Sequence, residues 1–192
     1  MVMLDFGALA PDTVHPFSRQ DYERLVELGL FREARVELLR GVVVSLSPQG
    51  PWHAVVSARV HQALLTALGA RVFVMSHSPL PLSDADEPEP DVAAYPPEVS
   101  AAALPTRPYL VVEVSDTSLS KDRGLKRDLY AEAGVPEYWV VRRDPDGIEV
   151  YTQPEAGCYQ SVHMRARGSV IRLVRFPEVE LRVDACLPPT SP

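Results

Sequence analysis

Glu113 stands in a run, Leu110-Val111-Val112-Glu113-Val114, whose other members all belong in a core. An ionised carboxylate in such a run is costly unless it is paired or binds a cation. Strand alternation puts Glu113 on the face opposite Val112 and Val114, so one face can pack while the other opens on a cleft. Taken alone, the residue fits a structural ion pair with an arginine as well as it fits a functional carboxylate. Asp91 opens the preceding candidate strand, 90–95, after a proline that fixes the backbone. By itself it fits an ordinary loop-end carboxylate. If the two strands are neighbours, Asp91 and Glu113 lie side by side, and two such carboxylates repel unless a proton or a metal lies between them. Oxygen-only ligands with open water positions suit Mg²⁺ or Mn²⁺. A third group comes from a helix expected over 119–133, where Asp122, Lys126 and Tyr130 form a stripe at i, i+4 spacing. An exposed Asp–Lys pair is the plain reading of that stripe. Lys126, however, is flanked by Leu125 and Leu129, so the stripe borders the buried face. The helix follows directly from the strand of Glu113 and can fold back to bring an ammonium to the carboxylates, where it could help activate a water.

The elements that must position these groups follow from periodicity and breakers. Residues 1–17 suggest an irregular arm. A helix is expected from Ser18 to about Leu30, with Ser18 and Asp21 as a capping box and Tyr22, Leu25, Val26 and Leu28 as its apolar face. Residues 35–39 and 42–47 predict a hairpin turning at Arg40-Gly41. From Trp52 to Leu68 the apolar residues, Val55 and Val56 among them, recur at helical spacing, with Gly69 as a stop. Strands are expected over 71–76, 90–95 and 109–114, the last apolar enough to be central and doubly buried. The Pro-, Asp- and Glu-rich stretch 77–89 suggests an exposed loop. After the 119–133 helix, Gly134 and Pro136 mark its end, and strands follow over 137–142, 148–152, 158–164, 169–174 and 178–183. The class is α/β, or α+β with one mixed sheet. No GxGxxG or GxxxxGK[ST] stands between a strand and a helix, which excludes a dinucleotide or P-loop site.

The chain has 192 residues and is expected to form a single domain with a core of its own. Its formal charge of −7 argues against a protein that coats nucleic acid by bulk electrostatics. Arginines 142, 143, 165, 167, 172 and 175 could still form a local patch, either a solvated sheet face or a phosphate track. Two cysteines, Cys158 and Cys186, make no CxxC pair and no disulfide framework. No signal peptide or membrane-spanning run is evident, so a cytoplasmic protein without membrane contact is expected. His53 and His61, eight apart, lack a third ligand at zinc spacing. Trp52, Tyr138 and Trp139 suit packing better than base stacking. Of the 19 basic residues only two are lysines, Lys121 and Lys126, and both fall on the helix that follows Glu113.

Pro90-Asp91, Glu113 and a nearby lysine resemble the PD-(D/E)XK nuclease pattern. The string Val112-Glu113-Val114-Ser115, then Asp122, Lys126 and Tyr130, then Gly134-Val135-Pro136-Glu137-Tyr138-Trp139, resembles the Uma-two family of restriction-endonuclease-like proteins. Glu37, Gly41, Pro48 and His53 fit the same family's N-terminal pattern, so the resemblance spans about residues 20–182. It implies a restriction-endonuclease-like core, α-β-β-β-α-β, here with an N-terminal helix and hairpin and a C-terminal β-rich extension. The nuclease-like domain would run over 18–184 and a flexible tail over 185–192. The resemblance also implies hydrolysis of a DNA phosphodiester with Mg²⁺ or Mn²⁺ and no organic cofactor. Asp91, Glu113 and the carbonyl of Val114 would hold the metal, and Lys126 would orient the attacking water. Glu37 would be a further ligand or a supporting group, and His53 would contact the site or substrate. Ser115 stands where the superfamily commonly has an in-strand lysine, so the cation must come from the helix, with Lys121 the competitor of Lys126. Without a lysine in reach, a catalytically inactive binding or assembly module with this fold is the alternative. A homodimer would suit cutting two strands.

Overall fold

The computed structural model describes residues 13–189. Ser18 caps helix α1 (Arg19–Glu27): its hydroxyl accepts from the Asp21 N–H, and Asp21 reaches back to the Ser18 N–H. The helix stops before Leu28, earlier than periodicity suggested. Of its expected apolar face only Tyr22 is buried, while Val26 and Leu28 are exposed. Tyr22 anchors the helix by donating to the Val36 carbonyl at 2.9 Å. Strands β1 (Val36–Leu39) and β2 (Val42–Ser45) form the expected hairpin. Its turn residues Arg40 and Gly41 have φ of 52° and 74°, the left-handed pair that a two-residue hairpin needs. Residues 1–12 of the expected arm lie outside the described residues; Phe17, at its end, donates to the Gly41 carbonyl.

Helix α2 (Pro51–Leu68) starts with proline in its first turn and ends at Gly69, φ 56°. It buries Val56, Val60, Ala63, Leu64 and Leu68, whereas Val55 faces solvent. Strands β3 (Phe73–Ser76), β4 (Val92–Tyr95) and β5 (Leu110–Ser115) follow. A helical crossover then runs as α3 (Leu119–Lys121), a π-turn over Asp122–Lys126, and α4 (Arg127–Glu132). It leads to β6 (Glu137–Arg142), β7 (Gly147–Glu155) and β8 (Cys158–Ala166). The six strands form one sheet in the order β3-β4-β5-β6-β7-β8. Only β5 and β6 are parallel, as a helical crossover requires. The fold is thus mixed α/β, and the order α2-β3-β4-β5-α3/α4-β6 is the expected core.

The sheet is covered on both faces. Val92, Val112, Val114, Trp139 and Val141 pack with α2 and with the C-terminal elements β9 (Val170–Arg172), β10 (Glu180–Arg182) and α5 (Val183–Cys186). Ala93, Tyr95, Val111, Tyr138 and Val140 pack with Leu80, Tyr130 and Val135 on the crossover side. Two expectations are corrected here. The 77–89 stretch is not an exposed loop: Leu80, Asp86 and Glu87 are buried, and Glu87 exchanges two backbone hydrogen bonds with Leu38 of the hairpin. The chain also does not leave the fold at 185, because Cys186 and Leu187 are fully buried; residues 190–192 of the expected tail lie outside the described residues.

Candidate active site

β4 begins at Val92, which pairs with Val112, so Asp91 stands one step before the strand, opposite Glu113. There the Val114 N–H has lost its strand partner and donates to Asp91 Oδ2 at 2.7 Å. A residue's N–H and C=O point to the same side of a strand, so the Val114 carbonyl faces the same gap. Two histidines flank the carboxylate. His53 Nε2, from the first turn of α2, lies 3.1 Å from Asp91 Oδ2, and His77 Nδ1 lies 3.5 Å from Oδ1. Burial pushes Asp91 up, but hydrogen bonds from His53, His77 and the Val114 N–H outweigh it and hold its carboxyl well below the usual range.

Glu113 points to the crossover side. Its Oε1 takes Lys126 Nζ at 2.9 Å and the Tyr130 hydroxyl at 2.6 Å, while its Oε2 accepts no hydrogen bond among the described residues. Burial raises Glu113 well above a normal glutamate; Lys126 offsets part of this, and the charges of Asp91, Asp122 and Glu37 add to it. Tyr130 is likewise pushed well up by burial and by Glu113. The expected stripe is brought together but lies deeper than foreseen. Asp122, Lys126 and Tyr130 are all buried, and Leu125, thought to flank the buried face, is exposed. Asp122 accepts from the hydroxyls of Ser115 and Ser118 at 2.6 and 2.5 Å. Ser115, in place of an in-strand lysine, thus ties the strand to the helix.

Glu37, from β1, is fully buried and pairs with both lysines: Lys121 at 2.8 Å and Lys126 at 2.9 Å. Burial raises its pKa, but Lys126 and Lys121 together bring it below the ordinary value. Burial works against the Lys126 charge, and Glu113, Glu37 and Asp122 overcome it, so the ammonium holds its proton more firmly than a free lysine.

Asp91, Glu113, Lys126, Lys121, Asp122 and His53 all line one cavity of about 510 Å³. Its rim carries Glu89 paired with Arg35 and Asp116 paired with Arg143. With those pairs neutral, four carboxylates (Glu37, Asp91, Glu113, Asp122) face two lysines. The deficit of two charges matches a divalent cation, whereas a proton on Glu113 relieves only one of the two. Among the described residues no three His, Cys, Asp or Glu side chains converge as a metal cage. A carboxylate pair, one carbonyl and several waters is the donor set that Mg²⁺ takes. The residues present therefore fit that ion.

His77 is a site neighbour that the sequence did not disclose. It sits just past β3 with φ 50°, a strained backbone for a non-glycine residue and a known signal of function, visible only in coordinates. His61 bonds Ser76 instead, away from Asp91. Four of the six late arginines are engaged by carboxylates, while Arg165 and Arg175 are exposed and make no ion pair among the described residues. Arg142 pairs with Glu149, Arg143 with Asp116, Arg167 with Asp146 and Arg172 with Glu180. Trp139 and Tyr138 are core residues, as expected. Among the described residues no helix is long and apolar enough to cross a membrane.

Comparison with known proteins adds the family. A crystal structure of a putative nuclease belonging to DUF820 from Anabaena variabilis ATCC 29413 shares the fold with a TM-score of 0.71 at 14% identity, covering 89% of this chain and 97% of that one. The type IIG restriction endonuclease BpuSI aligns over 53% of this chain and 11% of its own at 18% identity; its TM-score of 0.36 carries no argument. No curated protein matches. The Uma2 family model, described as putative restriction endonuclease, matches residues 19–184, and the chain belongs to that family.

Proposed function

We propose that this protein is a divalent-metal-dependent DNA endonuclease. The observation that carries the reading is the juxtaposition of Asp91 and Glu113, one step beyond the Val92–Val112 rung of β4 and β5, in a cavity where Glu113 keeps an unbonded oxygen and Lys126 stands beside it. Asp91, Glu113 and the Val114 carbonyl would hold Mg²⁺ or Mn²⁺, which supplies Lewis-acid polarisation of the scissile phosphate and lowers the pKa of a water. Asp91 is held ionised by its two histidines and the Val114 N–H, so it is ready to bind a cation. Lys126 keeps its charge at the reacting centre and stabilises the negative charge that grows on the phosphate oxygens. Glu37 and Tyr130 fix that ammonium and Glu113 in place. Lys121, nearer solvent, lines the same cavity and would meet a neighbouring phosphate. Glu113 is bound by a lysine and a tyrosine and opens on the cavity. An inactive binding module would instead have it sealed against an arginine.

Supercoiled, linear and single-stranded DNA incubated with the purified chain and Mg²⁺ or Mn²⁺ test this reading. Cleavage is expected, with Asp91→Ala, Glu113→Ala and Lys126→Ala each lowering it by about 10²-fold or more, the scale of losing a positioned catalytic group. Absence of cleavage on every DNA form, together with no heat of metal binding, overturns it.

A further inference from the structure

A fully buried lysine needs an anion, and a carboxylate that binds a divalent cation is poorly placed to neutralise a second positive charge as well. Lys126 faces this conflict, because Nζ lies 2.9 Å from Glu113 Oε1. It also lies 2.9 Å from Glu37 Oε2, on the other side. Glu37 comes from the hairpin, outside the six-stranded sheet, and is itself fully buried. Both its oxygens are engaged: Oε1 with Lys121, Oε2 with Lys126 and the Glu89 N–H at 3.2 Å. It is not part of the cavity lining, whereas Glu113 is. The two carboxylates therefore differ in what they can accept. Glu113 has a free oxygen toward the cavity, and Glu37 has none.

We propose that Glu37 is a positioning residue, not a further metal ligand: it carries the charge of Lys126 and so leaves Glu113 to the cation. This rests on the reading of Asp91 and Glu113 as the metal pair. In the buried site the ammonium's field is screened little. With Glu37 neutral, that charge would fall on Glu113 alone and oppose a cation at the neighbouring oxygen.

The test is Mn²⁺ affinity, measured by calorimetry and by electron paramagnetic resonance, with circular dichroism as a check on folding. Glu37→Gln is expected to weaken Mn²⁺ binding at least tenfold. Glu37→Gln combined with Lys126→Met removes the stray charge with its partner and is expected to restore affinity to within about threefold of wild type, while cleavage stays lost. A double variant that stays as weak as the single one overturns the proposal and makes Glu37 a ligand. A single variant that binds like wild type overturns it by giving Glu37 no role at the metal. If Glu37→Gln alone does not fold, the double variant, which leaves Lys126 and Glu37 both uncharged, decides by itself. Wild-type protein that binds no Mn²⁺ overturns the metal reading of Asp91 and Glu113, and this proposal with it.

Discussion

Glu137 shows what burial does to a carboxylate far from any lysine. It sits at the start of β6, nearly sealed, and accepts from the Trp139 indole at 2.7 Å and the Val174 N–H at 2.7 Å. Burial still outweighs those two bonds and raises its pKa from 4.5 to about 6. An acid whose folded pKa is raised holds its proton more tightly in the native state. Its contribution to stability is full below about pH 4.5 and is lost as pH rises through about 6, a change of about 2 kcal/mol. Denaturant midpoints between pH 4 and 7 should show this decline in the wild type, and Glu137→Gln should flatten it. A decline that persists unchanged in the variant assigns it to other groups. The same logic explains which site residues were legible in the sequence. Glu113 and Asp91 stand out because a charge at a strand position must have a reason to be there. Lys126 stands out because lysine is so scarce in this chain. His77 gives no such signal, since it lies in a Ser-Pro-rich stretch with no periodicity, and only its backbone angle and its distance to Asp91 disclose it. Glu37 was placed near the site, but its hold on both lysines depends on a contact between residues 84 and 89 positions apart, which no local pattern encodes.

At the scale of elements, the hairpin matters most, because it delivers Glu37. Its turn depends on Gly41, which has φ 74° and whose missing Cβ would stand 2.4 Å from Pro16 Cβ. Gly41→Ala is therefore expected to cost about 2 kcal/mol, from left-handed backbone strain plus the displaced proline, and to lower Tm by roughly 4–8 °C. Because the hairpin also positions Glu37, Mn²⁺ affinity should fall in the same variant. Scanning calorimetry and metal titration of one preparation check both, and a Tm unchanged within about 1 °C sinks the argument. The hairpin, α2, β5 and β6 were legible because turn glycines and apolar periodicity are local. The π-turn in the crossover was not, since Asp122, Lys126 and Tyr130 fit ordinary helical spacing equally well. The packing of 77–89 was missed for the opposite reason. Its composition is that of a loop, and its burial comes from Leu80 and from backbone pairing with Leu38, which composition does not register.

For the whole molecule, charge sets how DNA would be met. The net charge is −7, and arginines 142, 143, 167 and 172 are already paired with carboxylates. Few phosphates can be neutralised at once, so binding should depend only weakly on salt. Fluorescence anisotropy with duplex DNA and Ca²⁺, between 50 and 200 mM salt, is expected to give a log–log slope no steeper than about −3, as for about three phosphate contacts. A slope near −6 or steeper would reveal a phosphate track and overturn this expectation. The overall class and the core order were readable because strands and helices alternate in a way few architectures allow. The separation of β1–β2 and β9–β10 from the main sheet was not readable, since strand partners are chosen by long-range packing. The single parallel pair has one more consequence, for the order of assembly. β6 cannot settle beside β5 until the crossover has spanned the face of the sheet, and the crossover is the segment that carries both lysines. Closing the sheet and delivering the ammonium are thus one event. On the proposed reading, a nascent chain that has not yet emerged past β6 would have its acidic pair but no docked lysine, and cutting would arrive only with the finished fold.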